Sequence, residues 1–252
     1  MEIYVLTVLS GLLSGLALGL TGGGGSILAV PLLVYLVGLN IHLAIVTSLI
    51  AVGATSLISS LTYMKDGYVR FKTAFLMAAP GIVSTYLGSL VNRHLNGHVL
   101  LILFSFLMFY IGYRMTKKRK TPSKEIQKTN YLLILTLGFI VGFASGLFGV
   151  GGGFLLVPAL YMGANLSMKE SIGTSLFIIF LFGLFGMGSY ILQKREIDFL
   201  ISAIFVIGGV IGGFIGAKIG ENLNQDRLRL IFAYFTMAMA VFIFLENIFK
   251  LI

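Results

Sequence analysis

Polar residues are rare enough along this chain to act as punctuation. Apolar stretches run over residues 3–20, 26–37, 41–64, 71–91 and 98–115, and, after one polar stretch, over 131–148, 153–164, 171–192, 199–220 and 228–249. Most are long enough to cross about 30 Å of hydrocarbon at 1.5 Å per helical residue. The second of each set of five is not, since residues 26–37 would cover only about 18 Å as helix, and a run of glycines precedes them. The pattern predicts an all-α polytopic membrane protein with a Gly-broken or re-entrant helix second in each set. Such irregular backbone is tolerated at membrane depth where it is buried in protein or lines a cavity.

The two sets are copies of one another. Shifted by 127 residues, Gly22–Leu33 (GGGGSILAVPLL) falls on Gly149–Leu160 (GVGGGFLLVPAL) without a gap, and Thr47, Ser48 and Leu49 fall on Thr174, Ser175 and Leu176. Across the 28 positions from Gly22 to Leu49, 12 are identical, Pro, Thr and Ser among them. Beyond the next loop the offset becomes 128, aligning Phe71 with Phe199, Gly81 with Gly209 and Gly88 with Gly216. The expected organisation is a first transmembrane repeat over 1–115, a basic linker over 116–130 and a second repeat over 131–252. An odd number of segments per repeat inverts the second copy in the membrane, the arrangement of many secondary transporters. Fusing the first two segments of each copy into one kinked crossing would instead give parallel repeats. The first stretch has no basic flank and a counterpart at 131–148, so it reads as a membrane helix rather than a cleaved signal.

Composition agrees: 58% of the 252 residues are apolar and 11% charged, with a mean hydropathy of +1.00, too little polar surface for a chain bathed in water. The lipid bilayer is therefore its surrounding. The net charge of +9 would suit nucleic acid, but 7 of the 18 basic residues fall between Arg114 and Lys128. That cluster carries no interleaved aromatics, so no nucleic-acid partner is expected. Between two apolar blocks it reads as a cytoplasmic loop of a multi-pass protein of the cell membrane. With no Cys at all, disulfide and thiolate designs are excluded.

The chemistry concentrates at the repeated elements. Glycines spaced by four, as at Gly11, Gly15 and Gly19, at Gly138, Gly142 and Gly146, and from Gly208 to Gly220, suit close helix packing. The consecutive runs, with Gly22, Gly24 and Gly25 in one copy and Gly149, Gly151 and Gly152 in the other, point all round a helix and call for another explanation. A chain broken there presents backbone N–H groups at the start of the next helix, which suits a small anionic substrate. Pro31 and Pro158 follow as hinge candidates. The hydroxyls of Thr47, Ser48, Thr174 and Ser175 serve either the anion or a neighbouring helix. Glu170 is a candidate for coupling to a proton or sodium ion, or simply pairs with Lys169 at the interface. No carboxylates cluster for a metal, and no convergent acid and base suggests an enzyme, so neither cofactor nor catalytic residue is expected.

These elements resemble one known family. Two Gly-rich turns each followed by Val-Pro, the pair His42–Leu49 (HLAIVTSL) and Lys169–Leu176 (KESIGTSL), and Gly216–Phe232 (GAKIGENLNQDRLRLIF) are similar to motifs of the TauE/SafE sulfite exporter family, also called the toluene-sulfonate uptake permease family. The resemblance covers nearly the whole chain and implies transport of small anions, typically sulfite, sulfonates or related sulfur compounds. Two details depart from it: Gly-Gly-Gly-Gly-Ser stands where Gly-x-Gly-Gly-Gly is common, and Lys169 and Ser171 flank Glu170 where His and Ala are usual. A gated channel is the alternative, because a pore also uses broken helices.

Overall fold

A computed structural model describes residues 2–117, 131–149 and 151–248. The linker residues 118–130, on which the cytoplasmic assignment rests, lie outside them. Every element is helical: α1 (Glu2–Thr21), α2 (Gly24–Pro31), α3 (Ile41–Lys65), α4 (Phe71–Asn92), α5 (Gly97–Thr116), α6 (Tyr131–Phe148), α7 (Gly153–Pro158), α8 (Met168–Leu192), α9 (Phe199–Asn222) and α10 (Gln225–Ile248). Eight of these are long and apolar enough to cross a membrane.

The short helices α2 and α7 stop being α-helical at their prolines. Pro31 and Pro158 lack the N–H that an α ladder needs, and the backbone widens into π-helical turns over Leu32–Leu36 and Ala159–Gly163. Val37 N–H then donates to Leu32 O at 3.0 Å and Ala164 N–H to Ala159 O at 3.1 Å, each five residues back.

The principal helix pairs join one repeat to the other. A methyl group on Gly15 would lie 2.1 Å from the Gly209 carbonyl oxygen, and one on Gly142 would lie 2.1 Å from that of Gly81. Those are the same contact in the two repeats, because the duplication carries Gly15 onto Gly142 and Gly81 onto Gly209. On α1 and α9 the contacts rise together, Gly11 against Phe205, Gly15 against Gly209 and Gly19 against Gly213, so the two helices run parallel. The contacts of Gly138, Gly142 and Gly146 with Met77, Gly81 and Thr85 align α6 with α4 in the same sense. The glycines spaced by four are therefore packing faces, as their spacing predicts, bringing backbones together without side chains between them.

The centre is the crossing of α3 and α8. Gly53 meets Gly183, Leu49 meets Gly186 and Tyr63 meets Gly173, so these two helices run antiparallel. Thr55 and Ser59 lie against Gly209 and Gly213, which makes α3 parallel to α9. The interior between these helices is rich in Ser and Thr, including Ser14, Thr55, Ser59, Thr85 and Ser145. The outer surface instead displays apolar side chains such as Leu132, Phe75, Phe106 and Ile207. That reverses the pattern of a protein in water and matches a lipid surround.

Candidate functional site

The glycine runs become two turns that meet. Gly22, with φ +71°, ends α1, and Gly23 precedes α2. Gly149, Gly151 and Gly152 all have positive φ, between +62° and +69°, and lead into α7. A methyl on Gly23 would sit 2.3 Å from the Gly153 carbonyl oxygen, so the two turns touch backbone to backbone. Ser26 Oγ donates to Gly23 O at 2.6 Å within the same contact. Neither Gly23 nor Gly152 caps its helix through a side chain. Gly24 opens α2, while Gly25 is explained by packing: a methyl there would lie 1.9 Å from Ser14 O, and Ser14 Oγ donates to Gly25 O at 2.7 Å.

The two Thr-Ser pairs, identical in sequence, are used differently. All four residues are fully buried. Thr174 Oγ1 accepts from Arg70 N–H at 3.0 Å, and Ser175 Oγ donates to Gly22 O at 2.8 Å, tying α8 to the first turn. Thr47 and Ser48 have no hydrogen-bond partner among the described residues. They stand just beyond Ile45, against which Gly149 packs. A buried hydroxyl without a partner costs about 1–3 kcal/mol, and Ser145, Tyr190 and Gln193 Oε1 share that condition. Ser10, Thr55, Ser56 and Ser171 are in the same state, and that many unpartnered buried groups are unusual for an interior that serves packing alone.

Glu170 does not pair with Lys169. Neighbours on a helix point in different directions, and Glu170 instead binds the Arg70 guanidinium, with Nε at 2.8 Å. Its second oxygen accepts from Ser167 N–H at 2.8 Å in a capping box. Lys169 donates to the Glu221 carbonyl and lies over the Tyr68 ring. Lys72 Nζ donates to Tyr131 Oη at 3.1 Å, which puts this cluster at the end of the bundle where the linker joins α6. Tyr63 is buried near the same end, donating its hydroxyl to Gly19 O at 3.0 Å.

At the other end of α8 a cavity of about 460 Å³ opens, lined by His42, Val46, Arg93, Gln193, Lys194, Arg195 and others. Arg195 is fixed in its wall: Nη1 donates to Asn92 Oδ1 and Nη2 to Ser89 O, each at 2.9 Å, and its guanidinium carbon lies 5.1 Å from the Tyr190 ring centroid. Burial lowers its pKa from the ordinary guanidinium value. Arg93 pushes the same way, against the opposing effect of the Tyr190 hydroxyl. Sequence reasoning passed over Arg195, Tyr63 and Tyr190, although the offset of 127 that aligned the Thr-Ser pairs also sets the two tyrosines opposite one another.

The profile of one protein family, Sulfite exporter TauE/SafE, matches residues 7–243. The chain belongs to the TauE/SafE family. A probable membrane transporter protein of Xylella fastidiosa is 35% identical to it over 246 residues, 95% of this chain and 94% of the relative. The probable membrane transporter protein YunE of Bacillus subtilis is 30% identical over 235 residues, covering 81% of this chain and 84% of its own length. MJ0441 of Methanocaldococcus jannaschii, another probable membrane transporter protein, is 26% identical over 254 residues and 95% of each chain. Family membership and eight apolar helices together make this a multi-pass membrane transporter.

Proposed function

We propose that the chain is a secondary transporter of a small anion, a sulfur oxyanion or organosulfonate such as sulfite, passing where the two glycine turns meet. The observation that carries this reading is the backbone contact of Gly23 with Gly153 within reach of an interior whose Thr47 and Ser48 hydroxyls lack partners. N–H groups at uncapped helix starts and neutral hydroxyls suit an anion that must bind and leave again. The family supplies the sulfur chemistry, through its description as a sulfite exporter.

The repeats are read as inverted. In support, α1, α3 and α9 share one direction, while α4, α6 and α8 share the other, so the counterparts α1 and α6, α3 and α8, and α4 and α9 point opposite ways. The basic linker assigns its end of the bundle to the cytoplasm. On that assignment Arg70, Glu170 and Tyr63 close the cytoplasmic end, and the 460 Å³ cavity opens outward. Glu170 then serves as a latch: the Arg70 pair must separate for the inner end to open, and a proton or sodium ion taken up by the released carboxylate would couple that step to a gradient.

The test is flux of radiolabelled sulfite, sulfate and taurine into proteoliposomes, under an imposed proton or sodium gradient. Saturable accumulation against the anion gradient is the expected result. Equilibration without accumulation would make the protein a channel, and absence of flux for all three would overturn the substrate class.

A further inference from the structure

The two repeats diverge sharply at one turn. Asp66-Gly67-Tyr68 follows α3, and the duplication sets Gln193-Lys194-Arg195 opposite it after α8. The backbone is the same in both. Gly67 N–H donates to Met64 O and Tyr68 N–H to Tyr63 O, each at 3.0 Å; Lys194 N–H donates to Ile191 O at 3.0 Å and Arg195 N–H to Tyr190 O at 3.1 Å. The middle residue is left-handed in each case, with φ +71° at Gly67 and +51° at Lys194. Glycine takes that conformation freely, and a lysine does so only with strain. Strain kept at one copy of a turn, where the other copy shows the relaxed solution, points to a use for the side chain.

The third residue diverges in the same sense. Tyr68 stands with its ring centroid 6.4 Å from that of Tyr63, and Arg195 puts a guanidinium over Tyr190 in the corresponding place. The second copy of the turn lines an open cavity, where Arg93, Lys194 and Arg195 stand in the lining with the carboxylate of Glu196. Among the described residues none of the three forms an ion pair. Arg195 spends one N–H of each terminal nitrogen on Asn92 and Ser89, which fixes the plane of its fork and leaves further donors for a ligand. A planar, immobilised guanidinium beside a flexible ammonium matches an anion with two or more oxygens.

We propose that this cavity is a binding site for a small oxyanion, held by Arg195 and Lys194 with Arg93 at the rim. It is separate from the glycine turns. It rests on the reading of the chain as an anion transporter, and supplies the station that gathers the anion on the face opposite the linker. A volume of about 460 Å³ admits a sulfur oxyanion or a small organosulfonate with part of its water.

The experiment is thermal unfolding of the purified protein in lipid nanodiscs with sodium sulfate, sulfite or methanesulfonate, against sodium chloride at equal ionic strength. The wild type is expected to gain thermal stability from the oxyanions beyond that from chloride. Lys194→Gly is expected to keep or raise the midpoint without ligand, by relieving strain, while oxyanion affinity falls roughly tenfold. Arg195→Gln is expected to lose the ligand effect, and Lys72→Gln, on the other face, to keep it. A wild type that responds equally to chloride, or Lys194→Gly and Arg195→Gln variants that respond as the wild type does, would overturn the site. Proteoliposome uptake separates this from the transport reading. Uptake indifferent to both substitutions removes the site alone, whereas a Lys194-dependent thermal effect without any uptake removes transport and leaves the site.

Discussion

Two serines at equivalent places in the repeats carry different burdens, and the difference is measurable. Ser175 Oγ shares its one proton between Gly22 O and Ile172 O, each at 2.8 Å, so Ser175→Ala should lower stability by about 1 kcal/mol through the lost bond and the orphaned Gly22 carbonyl. Ser48 makes no such bond, and Ser48→Ala or Thr47→Val should leave the thermal midpoint unchanged or raised. If these hydroxyls meet the anion, the same substitutions should raise the half-saturation concentration about fivefold, the worth of one neutral hydrogen bond. Melting curves and concentration-dependent uptake on the three variants check both halves of this statement. The sequence made the Thr-Ser pairs visible through their repetition, but it could not tell which pair was bonded. That depends on Arg70 and Gly22, residues more than a hundred positions distant that the fold alone brings to α8.

The extents of the helices were legible because the bilayer imposes one length and one polarity on every spanning segment. Predicted stretches 41–64 and 199–220 became α3 (Ile41–Lys65) and α9 (Phe199–Asn222), and the two short stretches became α2 and α7 with their π-helical continuations. Partnership was less legible, since the spacing of glycines announces a packing face without naming what it packs on. The pairing of α1 with α9 emerges from depth and register, where Gly11, Gly15 and Gly19 meet Phe205, Gly209 and Gly213. A clear prediction follows from it. Gly142→Ala would drive a methyl to within 2.1 Å of the Gly81 carbonyl and 2.4 Å of Ser84 Oγ, and should sharply reduce the amount of folded protein in membranes. Gly188→Ala meets nothing within 4 Å and should be neutral or slightly stabilising, by helix propensity of up to about 1 kcal/mol. Fluorescence-detected gel filtration of both variants reads the contrast. If the Arg70–Glu170 pair is the proposed latch, Arg70→Glu should expose the linker end of the bundle, and the double variant Arg70→Glu with Glu170→Arg should restore closure and uptake. Failure of the double variant to recover would mean that the pair acts through more than its charge.

At the scale of the whole molecule, an internal duplication brings two glycine turns together in the interior. On the proposed inverted arrangement the two copies present their glycine turns from opposite sides to one crossing of α3 and α8; their end turns differ, Tyr63, Arg70 and Glu170 standing at one end and a cavity lined by Arg195 at the other. The duplication was readable from residues alone, and so was the expectation of inversion. The cavity at the Lys194-Arg195 turn was not, because the contrast with Gly67-Tyr68 acquires meaning only when both turns are seen to share one backbone. The most direct measurement of the central claim is sidedness. The chain has no Cys, so single cysteines at Glu2, Ser123, Glu196 and Ile252 can be probed on intact cells with a membrane-impermeant thiol reagent. Inverted repeats predict labelling at 2, 196 and 252 and protection at 123, whereas protection at all four positions would contradict inversion and with it the meeting of two opposed glycine turns at one anion site.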